Sequence, residues 1–187
     1  MLITSEDVQW PFTMFDNTEP RAEGIHLSDV IKQIEIDSGL AYSGPGFTDM
    51  ELTAEIGLLW EDVLSRVMAD KYACRPSQIC LDGVWMSPDG INDDPLDEVP
   101  MVIEEYKATW KSARRCPSDD FKYMTQIKSY CYAMGTNVAV MRIFYIMGDY
   151  KGSGPLYRVS RITFDQRELE INWDMILKTK AKMEVLK

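Results

Sequence analysis

Asp89, Glu105 and Lys107 are two carboxylates and an amine delivered by two neighbouring strand-like runs. The first run, Ile79 to Met86, is aliphatic and aromatic and ends at the turn sequence Ser87-Pro88-Asp89-Gly90. The second, Val99 to Trp110, carries Met101-Val102-Ile103 into Glu104-Glu105-Tyr106-Lys107. The two-residue period of a strand puts Glu105 and Lys107 on one side with Ile103 and turns Glu104 away, so Glu104 is expected behind the site or at the surface. Asp82, in the first run beside Gly83, is the main rival to Asp89 for a metal-binding role.

Acids and an amine in this arrangement suit the hydrolysis of a phosphodiester. Water is a poor nucleophile, and negative charge builds on the phosphate and the leaving oxygen; divalent metal ions meet both difficulties. Magnesium takes hard oxygen donors. Asp89 and Glu105 would supply them, with Glu61 added from a helix and the Tyr106 carbonyl from the backbone. Lys107 would orient or deprotonate the attacking water, or hold the phosphate; the sequence leaves these roles open.

The elements that must position these groups follow from periodicity. A helix is expected from Ser28, as N-cap, to about Asp37, with Val30, Ile31 and Ile34 buried. His26 before it is assigned to capping or packing. After the loop around Gly44-Pro45-Gly46, a second helix spans about 48–70, with Leu52, Ile56, Leu59, Trp60, Val63, Leu64 and Val67 as a buried face. Glu61 lies one turn beyond Gly57, a glycine that suggests a close backbone approach. The acids of the Asn92 to Pro100 connection are read as solvated. A third helix runs from Ser118 or Asp119 to Met134 with Gly135 as its C-cap, and Gln126 and Tyr130 share one side of it. Strands follow at Val138 to Met147 and Leu156 to Phe164. A last helix opens with the box Asp165-x-x-Glu168 and buries Leu169, Trp173, Ile176 and Leu177. This order gives an α/β (α+β) domain, a mixed sheet flanked by helices, with residues 1–187 as one domain and 1–25 as an irregular arm.

The chain has 187 residues and a net charge of −10, which taken alone argues against a nucleic-acid binder. The charge is unevenly placed. Residues 1–105 hold 22 acids and 5 bases, whereas 106–187 hold 8 acids and 15 bases. Two readings fit: metal ions neutralise some of the former while the latter face a polyanion, or the asymmetry is only an uneven solvated surface. Lys111, Arg114 and Arg115 are the expected phosphate contacts, with Lys122 and Lys128 behind them. Trp85, Trp110, Tyr123 and Tyr132 are read chiefly as core, Trp110 being the best base-stacking candidate. Cys74, Cys80, Cys116 and Cys131 form no Cys-x-x-Cys pair, so reduced thiols in a cytoplasmic setting are expected. Neither a secretory signal nor a membrane span is expected.

Pro88-Asp89, fifteen intervening residues and then Glu105-Tyr106-Lys107 resemble the PD-(D/E)XK nuclease superfamily. Ser87-Pro88-Asp89-Gly90 and Gln126 resemble the phage recombination exonucleases of the lambda exonuclease and YqaJ type. Gln126-x-x-x-Tyr130 matches the helix motif of RecB-like nucleases, and Gly57-x-x-x-Glu61 resembles the acidic helix placed before the core in both groups. The resemblance spans about Leu52 to Met147. It implies a restriction-endonuclease-like core with Glu61, Asp89 and Glu105 as ligands of one or two Mg2+ or Mn2+ ions and Lys107 as catalytic. Gln126 and Tyr130 would support the site or the DNA strand. It further implies an exonuclease on linear DNA ends in phage or prophage recombination or replication, in the host cytoplasm, with a homo-oligomer and a single-strand annealing or recombination protein as possible partners. The alternatives are a non-catalytic DNA-binding or structural phage protein of the same fold, an endonuclease of the superfamily, and a hydrolase of a smaller phosphate ester. The cysteines do not support the iron–sulfur branch of the RecB-like group.

Overall fold

The computed structural model describes residues 21–40, 56–60, 62–64, 66, 73–93, 101–152 and 154–185. In chain order these form β1 (Ile25–His26), α1 (Leu27–Asp37), β2 (Ala73–Cys74), β3 (Ile79–Leu81), β4 (Val84–Met86), β5 (Gly90–Asn92) and β6 (Val102–Thr109). A 3-10 turn (Pro117–Asp119), α2 (Phe121–Met134), β7 (Val138–Tyr145), β8 (Leu156–Thr163) and α3 (Gln166–Val185) complete them. Residues 56–60, 62–64 and 66 are also helical, within the span expected for the second helix; the rest of that span, Glu61 included, lies outside the described residues. So do residues 1–20 of the expected arm and 94–100 of the acidic connection.

Two sheets form. The larger has the order β2-β5-β6-β7-β8, with β6 in the middle. β5 runs antiparallel to β6, β7 parallel to it and β8 antiparallel to β7. A parallel neighbour needs a crossover, and α2 supplies it between β6 and β7. Asp120 starts α2 by accepting the Tyr123 N–H at 3.2 Å, and Gly135 ends it in the left-handed conformation, φ 67°. The Asp165 and Glu168 side chains accept each other's backbone N–H groups at the start of α3, closing the expected capping box.

Alternation along β6 and β7 divides the large sheet into two faces. Ile103, Met141 and Ile143 belong to the main core, packed with Val30 and Ile31 of α1, Ile127 and Cys131 of α2, and Leu169, Trp173 and Ile176 of α3. Glu105 and Lys107 share the Ile103 parity and therefore this helix-covered face. The opposite face carries Glu104, Tyr106, Arg142 and Phe144, beside a small cluster of Val102, Val138 and Val140. Trp60 stacks on Phe144 with ring centroids 4.0 Å apart.

Several expectations change. Ile79 to Met86 is a hairpin, not one strand: Asp82 and Gly83 turn it with φ 49° and 74°, and β3 and β4 join β1 in a separate sheet of order β1-β4-β3. Asp-Gly between apolar residues is a strong signal for this turn, and only a backbone tolerant of positive φ makes it. The N-cap of α1 is His26 and not Ser28; the His26 N–H donates to Asp29 at 3.4 Å, while its ring Nε2 lies 2.8 Å from the Ala22 carbonyl oxygen. Leu59 and Val63 are exposed, at 40% and 43%, although Leu64 is buried. A Cβ on Gly57 would meet nothing within 4 Å among the described residues, so none of their backbone makes the close approach expected at that glycine. Among the described residues no helix is long and apolar enough to cross a membrane.

Candidate active site

β5 is short, and where it begins a side chain takes over from the backbone ladder. Gly90 pairs with Glu104, and Asp89, one residue earlier, accepts the Tyr106 N–H on Oδ2 at 2.8 Å. This hydrogen bond ties the first carboxylate to the strand that carries the second. Gly90 fits closely here: a Cβ at this position would stand 3.0 Å from the Tyr106 hydroxyl and 3.2 Å from the Glu104 Cβ, so these neighbours would have to give by a few tenths of an ångström.

The expected trio converges. The Lys107 ammonium pairs with Glu105 Oε1 and lies 3.8 Å from Asp89 Oδ2. Glu105 is fully buried, Asp89 is 8% exposed and the Lys107 side chain 17% exposed, so Lys107 is the most exposed of the three. Two buried carboxylates placed together repel unless a cation lies with them. Lys107 is that cation in this arrangement.

α2 closes the site from the helix layer. Gln126 Nε2 donates to the Tyr130 hydroxyl at 2.8 Å, and that hydroxyl donates to the Ser87 carbonyl at 3.2 Å, just before Pro88-Asp89. Burial first, and then the Glu105 and Asp89 charges, hold the Tyr130 phenol well above the usual tyrosine range. Tyr130 is a buried support between α2 and the Asp89 turn.

Other assignments separate. Asp82 accepts the Trp173 indole N–H at 2.9 Å, a packing role in the small sheet. Glu104 is not at the surface: it is 1% exposed and takes both arms of Arg142, Nε at 2.6 Å and Nη2 at 3.0 Å. The signal for Arg142 was a lone cation inside the apolar run Val138 to Met147; a charge in a buried strand needs a partner. Lys111 is held by Asp120 and Arg114 lies 3.6 Å from Asp149, whereas Arg115 is exposed. Trp110 is 40% exposed. Lys128 pairs with Glu168 at 3.3 Å. Cys74, Cys80 and Cys116 are exposed free thiols, and burial pushes the Cys131 thiol up to about 12.

A cavity of about 290 Å³ adjoins the Asp89 turn and brings Arg21, Arg75 and Lys122 together with Ser87, Gln126 and Tyr130. Arg21 also pairs with Asp29 at 2.8 Å. Neither Arg21 nor Arg75 is singled out by sequence pattern. They are isolated bases in the acidic part of the chain, and only the fold gathers them beside α2.

A divalent ion is the group the resemblance implies, and the donors present fit it. Asp89 and Glu105 are hard oxygen donors of the kind magnesium and manganese prefer, and the space they share already accommodates a cation, the Lys107 ammonium. Among the described residues no three His, Cys, Asp or Glu side chains gather as a metal-holding group. The third expected acid, Glu61, lies outside the described residues.

No protein-family model matches this chain, and no curated protein matches it by sequence. Solved structures do match in fold. The alkaline exonuclease LHK-Exo from Laribacter hongkongensis superposes with a TM-score of 0.54 at 14% identity, over 84% of this chain and 79% of that one. The same exonuclease in complex with dAMP gives 0.50 at 16% identity, over 86% and 83%. SSO0001 gives 0.52 at 14% identity, over 86% and 79%. The mixed α/β core of this chain thus has the fold of an alkaline exonuclease, in agreement with the resemblance carried by Pro88-Asp89 and Glu105-Tyr106-Lys107.

Proposed function

We propose that this protein is a divalent-metal-dependent deoxyribonuclease that hydrolyses phosphodiester bonds at the ends of linear DNA. The observation that carries this reading is the meeting of Asp89, from the turn before β5, with Glu105 and Lys107 of β6, two buried acids and a largely buried amine. Its fold likeness to an alkaline exonuclease, one whose structure includes dAMP, supports DNA as the substrate class.

One or two Mg2+ or Mn2+ ions would be held by Asp89 and Glu105, with the Tyr106 carbonyl and Glu61 as further donors. When bound, the metal supplies the Lewis acidity that makes water nucleophilic near neutral pH and offsets charge on the phosphate. Lys107 then has two tasks open to it at Nζ: to orient and deprotonate the attacking water, or to hold a non-bridging phosphate oxygen. Tyr130 and Gln126 keep the Asp89 turn seated against α2. Arg21, Arg75 and Lys122 line the adjoining cavity and give a strand end a place to lay its phosphates. Arg115, with Lys111 and Arg114, offers backbone contacts farther along.

Cleavage of end-labelled linear DNA and of closed circular DNA, with Mg2+ or Mn2+, tests this directly. Linear DNA is expected to be degraded from its ends, chelator to abolish the reaction, and Lys107→Ala to lower the rate by about 10²- to 10⁴-fold while remaining folded. Equal rates in native and variant protein would remove the catalytic assignment. Efficient attack on closed circles would replace end digestion with internal cleavage.

A further inference from the structure

Glu104 adjoins both carboxylates of the site at once. It precedes Glu105 in β6, and it is the register partner of Gly90, which follows Asp89. Its side chain points to the opposite face of the sheet, where it is 1% exposed and gripped bidentately by Arg142 at 2.6 and 3.0 Å. Arg142 comes from β7, opposite Tyr106, the residue whose N–H holds Asp89. The ring of Tyr106 lies on this face too, with its hydroxyl against Gly90. Burial, with Glu104 next, raises the Tyr106 phenol above its ordinary range. Strands β5, β6 and β7 therefore meet at one buried ion pair directly behind the two acids.

We infer that Glu104 and Arg142 are positioning residues, which set the separation of Asp89 and Glu105 from the back of the sheet. The reason is local and geometric. A buried carboxylate stripped of its partner is strongly destabilising where it stands. If Arg142 is removed, Glu104 loses both of its hydrogen-bond donors and must rotate toward water, which alters its packing against Gly90 and Tyr106. The peptide units that move are those bearing Asp89 and Glu105. A guanidinium fork fixes orientation as well as charge, so the same site built with a lysine would be held less firmly. The inference rests on the metal-dependent reading for its meaning, but its geometry is measurable without it.

The test compares Arg142→Met, Arg142→Lys and the double variant Glu104→Gln/Arg142→Met. Two readouts are taken on folded protein: Mn2+ binding in the absence of DNA, and hydrogen exchange at the Tyr106 amide, the donor to Asp89. Arg142→Met is expected to weaken Mn2+ by about tenfold or more and to speed Tyr106 exchange more than exchange at Ile143 or Phe144. The double variant, which removes both charges, is expected to return most of the affinity. Arg142→Lys, expected to fold even where methionine does not, should fall between. Native Mn2+ affinity and native Tyr106 exchange in Arg142→Met or Arg142→Lys, with only the unfolding temperature lowered, would overturn the inference and leave the pair a structural one. If native protein binds no Mn2+ and cleaves nothing, the hydrolytic reading fails, and Tyr106 exchange alone decides the positioning role.

Discussion

Both faces of β6 bury a glutamate against a cation, and they do so by different means. On the helix-covered face Glu105 meets Lys107, two residues along the same strand, and the same ammonium lies 3.8 Å from Asp89. On the other face Glu104 meets Arg142 of the neighbouring strand through two hydrogen bonds. An ammonium is a compact point charge on a flexible stem, whereas a guanidinium is a planar fork that matches a carboxylate in one orientation. The first pair sets one ammonium beside two carboxylates, on a side chain that stays partly exposed. The second ties two strands and is fixed. Placing them back to back on adjacent residues puts the flexible point charge where chemistry is proposed and the planar fork where two strands are joined.

This contrast predicts opposite responses to metal. Arg142→Met strands a buried carboxylate, and loss of one partner of such a pair costs about 3–5 kcal/mol; the unfolding temperature should fall by roughly 2–4 °C for each kcal/mol. Manganese should not return that loss. Lys107→Met also strands a buried acid, but the site it leaves is one a divalent cation fits, so saturating Mn2+ should raise its unfolding temperature more than it raises that of native protein. Ligand at about a hundred times its dissociation constant contributes roughly 2.7 kcal/mol. Thermal unfolding of both variants with chelator and with Mn2+ measures this. Equal rescue of both, or of neither, would mean that the two faces do not differ in the way proposed.

The two faces are also unequally legible in the sequence. Glu105 and Lys107 lie within one strand, so a period of two places them together, and the 3.6-residue period does the same for Gln126 and Tyr130. Local signals likewise give α2 its glycine C-cap and α3 its capping box. The back face depends on Glu104 meeting Arg142 across 38 positions, a strand pairing that composition does not reveal. Because alternation says only that Glu104 turns away, a solvated surface and a buried ion pair look alike until β7 is in place. The small sheet is hidden for a different reason: the aliphatic continuity of Ile79 to Met86 outweighs the Asp82-Gly83 turn inside it. Arg21 and Arg75, distant in sequence from Lys122, gather beside α2 only through the fold.

Those two arginines give the next effect in size. If their cavity takes DNA phosphate, Arg21→Ala with Arg75→Ala should weaken DNA binding in chelator by about tenfold and lower the salt dependence by roughly one unit of slope for each phosphate no longer neutralised. Mn2+ affinity should stay unchanged, since neither side chain belongs to the Asp89 and Glu105 pair. Titration of labelled DNA at several salt concentrations reads both quantities. A loss of affinity with an unaltered slope would mean that the arginines shape the cavity without meeting phosphate.

Asp120 offers the smallest and most discriminating change, because it holds a third kind of pair. One oxygen caps α2 by accepting the Tyr123 N–H, and the other holds the half-exposed Lys111 ammonium, which also lies 4.7 Å from the Tyr123 ring. Asn caps a helix about as well as Asp does, whereas Ala loses about 1 kcal/mol. Asp120→Ala should therefore lower the unfolding temperature by roughly 2–4 °C, and Asp120→Asn should leave it nearly unchanged. Both remove the charge that neutralises Lys111, an exposed interaction worth little to stability. Release of Lys111 toward a phosphate should raise DNA affinity at low salt by about two- to threefold in either variant, and the gain should fade as ionic strength rises. If only the alanine variant changed DNA binding, the effect would belong to the start of α2 and not to the lysine, and Lys111 would leave the set of proposed phosphate contacts.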